Sequence, residues 1–79
     1  IHFFAEFLTM EDLGKFMDML RHSDYKLRDM ELDRAGRSVN DLVGATFWIE
    51  LDRATNHVEL IRKLSSFEGV RYLEELEFV

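Results

Sequence analysis

Residues 45–78 read ATFWIELDRATNHVELIRKLSSFEGVRYLEELEF, and this stretch decides the fold. It opens on strict alternation, with Ala45, Phe47, Ile49 and Leu51 on one face and Thr46, Trp48, Glu50 and Asp52 on the other. A period of two with aromatic content marks a strand that buries one face. The period then changes. Asn56 and Glu59 form an N-terminal capping pair, and Val58, Leu60, Ile61, Leu64 and Phe67 follow at helical spacing. Gly69 is placed to end this helix in a left-handed turn. From Val70 to about Phe78 alternation resumes, with Val70, Tyr72, Leu76 and Phe78 sharing one parity.

The N-terminal half repeats the order with little residue identity. Residues 1–7 place Ile1, Phe3, Ala5 and Phe7 on one face and His2, Phe4 and Glu6 on the other. Thr9 lies three residues before Asp12, so its hydroxyl can cap a free N–H while the carboxylate favours the positive helix end. Met10, Leu13, Phe16, Met17 and Leu20 then predict a helix over 10–22. Residues 25–34 read as a strand whose apolar parity switches between Leu27 and the pair Met30 and Leu32, which predicts a bulge near Arg28–Asp29. Residues 35–44, with Gly36, Asn40, Asp41 and Gly44, read as the hairpin connection. Strand–helix–strand twice over is the split βαβ pattern, so the predicted fold class is α+β. The expected architecture is a ferredoxin-like βαββαβ sandwich, a four-stranded antiparallel sheet with two helices on one face.

Composition narrows the function. Seventy-nine residues make a single domain, 1–79, and a chain of this size buries only about 60% of its unfolded surface. Hydrophobic residues make up 47% and charged residues 33%, a globular balance. The absence of cysteine excludes disulfide frameworks, CxxC metal sites and thiol catalysis, and is compatible with a reducing compartment. A net charge of −6 opposes phosphate backbones and anionic lipid surfaces, so no nucleic acid is expected as partner. No apolar run is long enough to span a bilayer. The chain enters a strand at once from Ile1, so the expectation is a domain excised from a longer protein.

Candidate sites are few. His2, His22 and His57 have no HxH or HxxxH spacing, and His22 at a helix end can complement the helix dipole. Asp29, Glu31 and Asp33 share a face of the second strand, with Glu6, Glu50, Asp52, Glu75 and Glu77 as further acids. Carboxylates suit Mg²⁺ or Ca²⁺, yet no Ca²⁺-loop pattern occurs and a solvated acidic face needs no cation. The expectation is therefore no metal and no cofactor. Ser23, Ser38, Ser65 and Ser66 lack a nucleophile-elbow pattern, and no phosphate-cradling glycine loop occurs, so no catalytic residue is assigned. Gly14, inside the first helix, is read as allowing close packing on the sheet. Phe4 and Trp48 carry more information, because alternation puts both on the face without helices, on strands expected to be central neighbours. Adjacent aromatics could stack nucleic-acid bases, but the surrounding acids oppose that. An interface between copies or domains is the favoured reading over plain exposed aromatics.

The stretch HVELIRKLSSFEGVRYLEELEF, a helix running through a GV turn into a strand, resembles ACT and ACT-like regulatory domains over the full chain. The spacing of IHFFAEFLTMEDLGKFMDMLRHSDYKLRDMELDR is most similar to the cytosolic C-terminal domain of MgtC/SapB-family membrane proteins. This resemblance implies a non-catalytic regulatory or self-association domain of a parent linked to Mg²⁺ limitation, on the cytoplasmic side of the inner membrane. A homodimer or an intramolecular domain contact would be its partner, with the membrane reached only through the parent. The alternative is a cytoplasmic ligand-sensing ACT domain of a metabolic enzyme or transcription regulator. Such domains share a D-x-P-G-x-L segment between strand 1 and helix 1 whose backbone meets an amino acid. The matching positions here are Leu8, then the candidate ligand loop Thr9, Met10, Glu11, Asp12, Leu13 and Gly14. They lack the proline and carry the glycine inside the helix.

Overall fold

Alternation in the sequence becomes two distinct sheet faces in the computed structural model, which describes residues 1–33, 42–52 and 54–76. The elements run β1 (His2–Phe7), α1 (Met10–Arg21), β2 (Lys26–Leu32), β3 (Val43–Glu50), α2 (His57–Ser65) and β4 (Val70–Glu75). Among the described residues the four strands form one antiparallel sheet in the order β2-β3-β1-β4. This is the predicted ferredoxin-like α+β arrangement, with β1 and β3 as central neighbours. Most of the 35–44 connection, with Gly36, Asn40 and Asp41, lies outside the described residues, as do Glu77 and Phe78.

The capping pairs form as read. Thr9 Oγ1 accepts the Asp12 N–H at 3.1 Å and donates to Asp12 Oδ2 at 3.1 Å. Asn56 Oδ1 accepts the Glu59 N–H at 3.0 Å. Each helix turns its apolar stripe onto the sheet: Leu13, Phe16 and Leu20 from α1, Leu60 and Leu64 from α2. They join Phe3, Ala5, Phe7, Ala45, Phe47 and Ile49 in one buried cluster. Phe16 sits at its centre, with ring centroids 5.0 Å from Phe7, 5.3 Å from Phe47, 5.6 Å from Phe67 and 6.2 Å from Phe3. At the margins Met10 and Val58 stay exposed.

Both edge strands are bulged. The register of β2 slips between Leu27 and Asp29, leaving Arg28 unpaired opposite β3, as the parity switch predicts. A second slip leaves Arg71 unpaired between Val70 and Tyr72 on β4, and it corrects the single parity read for that strand. Val70 and Leu73 pack on the core, while Tyr72 goes to the other face. A bulge with a charged residue on it spoils an edge as a template for strand addition.

Two glycine readings change. α2 ends at Ser65 with Ser66 as its cap, and Gly69 instead turns the chain into β4. Its φ is +93°, and the Val70 N–H donates to the Phe67 carbonyl at 3.1 Å, the geometry of a type II turn. Gly14 is exposed, and a Cβ built there meets nothing within 4 Å. It does not mediate close packing of α1 on the sheet.

Candidate functional site

The sheet face opposite the helices is built by the alternate residues of four strands. Cross-strand register orders it in rows running from β2 to β4. One row holds Asp29, Trp48 and His2, the next Glu31, Thr46, Phe4 and Glu74, and a third Gly44, Glu6 and Tyr72. Phe4 and Trp48 therefore lie on this face as predicted, both half-buried, but in diagonal rather than opposite positions. Each finds a different aromatic neighbour. Trp48 stacks on His2 with centroids 4.4 Å apart and rings 16° from parallel. Phe4 lies 6.5 Å from the Tyr72 ring.

The charge of the face is uneven. Asp29 and Glu31 stand on one edge strand and Glu74 on the other, with Glu6 between Gly44 and Tyr72. Lys26 lies opposite Glu50 at a corner, and Arg28 and Arg71 stand on the bulges at the two edges. Tyr72 feels the acids directly. Lost solvation, a hydrogen bond donated to Glu74, and the charges of Glu74 and then Glu6 all hold its phenol above the ordinary value of 10.0. Phe4, Glu6, Thr46, Glu74 and Leu76 line an open hollow of about 330 Å³.

Glu75 does not belong to the acidic face. It pairs with Phe3 on the helix side, where its Oε2 lies 2.6 Å from His57 Nε2 at the start of α2. The unread bulge at Arg71 hid this contact, since it reverses the parity of the residues that follow. Asp52 leaves the sheet as well and accepts the Ala54 N–H in the turn before α2. It lines a polar cleft of about 550 Å³ with Asp24, Tyr25, Asn56 and Glu59. His22 caps α1, with Nδ1 2.7 Å from the Asp18 carbonyl oxygen. The three histidines thus occupy separate places. Among the described residues, no three His, Asp or Glu side chains are grouped to hold a metal ion.

The Thr9–Gly14 stretch forms the N-cap and first turn of α1. Thr9, Met10, Glu11 and Gly14 are exposed, Asp12 is half-buried and Leu13 enters the core. The Thr9 hydroxyl is committed to the cap, and Asp12 packs over the backbone of Gly69. Leu8 N–H donates to the Gly69 carbonyl at 3.0 Å, which holds this junction against the turn into β4. Among the described residues no helix is long and apolar enough to cross a membrane. No family model matches the chain, and no curated protein matches it.

Proposed function

We propose that this chain is a non-catalytic, ACT-like regulatory domain that works by protein contact through its open sheet face. The contact would be with a second copy or with another domain of the same parent. The observation that carries this reading is the exposed-side aromatic group of Phe4, Trp48, His2 and Tyr72, on a sheet whose two edges are both bulged. Half-buried aromatics on an uncovered face add contact area for a partner while lying outside the buried core. The sequence resemblance supports an MgtC/SapB-like membrane protein linked to Mg²⁺ limitation as the parent, with this domain on the cytoplasmic side.

The double variant Phe4→Ser/Trp48→Ser tests the reading. Side chains kept for contact contribute only cross-strand packing, about 0.2–1 kcal/mol each, to the isolated fold. Urea denaturation should therefore show a loss of no more than about 2 kcal/mol. A loss of about 3–5 kcal/mol, the scale of a deleted core aromatic, would make them structural and overturn the proposal. Sedimentation velocity on both proteins then separates the partners. Mass that rises with concentration in the wild type alone identifies a second copy, and monomeric mass in both proteins overturns contact between copies. Melting the wild type with a panel of amino acids and divalent cations checks the ligand-sensing alternative, because a ligand of the native state raises stability by mass action.

A further inference from the structure

We infer that the open sheet face docks a short basic polypeptide segment, one that sets apolar side chains beside Lys or Arg. This inference rests on the reading of that face as a contact surface and names its occupant. Two observations converge on it.

The first is charge. Asp29 and Glu31 on β2, Glu50 on β3, Glu6 on β1 and Glu74 on β4 outnumber Lys26 and the two bulge arginines, Arg28 and Arg71. A second copy brought face to face would set these carboxylates against their own kind, and like charges across an interface are costly. A basic partner meets the acidic excess of this face, which repels nucleic acid and anionic lipid.

The second is the hollow. Its lining sets the apolar side chains of Phe4 and Leu76 beside the carboxylates of Glu6 and Glu74. A Lys or Arg side chain suits both, with a methylene stem for the apolar groups and a charged head for the carboxylates. The Glu6 and Glu74 carboxylates each offer several acceptor positions for a cation. The faces of Phe4, Tyr72 and Trp48 add cation–π attraction for Arg.

Trp48 is the sole tryptophan and sits on this face, so its emission reports occupancy without a label. Three synthetic peptides of about eight residues, enough to cross the four strands, would be titrated into the wild-type chain: alternating Arg–Leu, alternating Glu–Leu and alternating Arg–Ser. The Arg–Leu peptide should shift Trp48 emission saturably, with affinity that falls as salt is added. Arg–Ser should bind about tenfold more weakly, and Glu–Leu should leave the emission unmoved. Glu6→Gln/Glu74→Gln should weaken Arg–Leu by about tenfold and flatten the salt dependence. Equal responses to Arg–Leu and Glu–Leu, or none to any peptide, would overturn the inference. Emission that shifts with protein concentration alone, together with rising mass, would make a second copy the occupant. That result would sink the basic-segment inference and leave the contact-surface reading standing.

Discussion

A methyl group added at Gly14 and one added at Gly69 meet opposite surroundings. At Gly14 the added Cβ enters open space on an exposed helix, so Gly14→Ala removes only the entropic cost of glycine. It should raise stability by about 1 kcal/mol. At Gly69 the backbone has φ +93°, and a Cβ would lie 2.5 Å from Asp12 Cγ. Gly69→Ala should lose about 2 kcal/mol or more, from left-handed strain together with the displacement of Asp12. Urea midpoints of the two variants, read against the wild type, check both signs. A loss at Gly14 or neutrality at Gly69 would contradict this account of the α1 and β4 junctions. The left-handed turn at Gly69 is legible in the sequence, as the glycine after a helix. The second demand there, from the Asp12 side chain 57 positions earlier, is carried by no local pattern.

Among the elements, β4 shows where alternation succeeds and where it stops. The parity switch in β2 is visible because Leu27, Met30 and Leu32 are apolar on both sides of the slip. In β4 the slip at Arg71 falls beside Tyr72, which looks as apolar as a core residue, and the reading runs straight through it. A side-chain period of two turns one missed residue into a complete exchange of faces. The consequences are Tyr72 and Glu74 on the open face and Glu75 beside His57. The phenol reports this register. Lost solvation, and then the neighbouring Glu74 and Glu6, move its ionisation above 10.0. A group protonated more tightly in the folded state leaves stability intact below its unfolded pKa, and stability then declines as pH rises through the folded one. Tyrosinate absorbance in a Tyr25→Phe background should thus show Tyr72 titrating late, and Glu74→Gln should bring it part of the way back toward 10.0. A Tyr72 that titrates at its ordinary value would contradict the surroundings assigned to it.

For the whole molecule the decisive quantity is how little core there is. At about 0.05–0.15 kcal/mol per residue, a chain of this length holds roughly 4–12 kcal/mol of stability. The two faces of the sheet divide that stability unequally, and the division is what alternation in β1 and β3 made readable before any coordinates. Phe3, Phe7 and Phe47 face Phe16 and the helices, whereas Phe4 and Trp48 face away. What alternation could not supply is the arrangement across strands: Trp48 on His2, Phe4 near Tyr72, carboxylates along both margins. Those are facts of register between distant segments. Phe16 tests the division from the core side. It touches rings from β1, β3 and the turn after α2, so truncating it opens a cavity that no single neighbour can fill. Phe16→Ala should cost about 3–5 kcal/mol, enough to bring the domain close to unfolding, and a thermal melt should show the transition lowered or lost. If Phe16→Ala melts like the wild type while Phe4→Ser/Trp48→Ser does not, the burial assigned to the two faces is reversed. The open face could then no longer be a surface held in reserve for a partner.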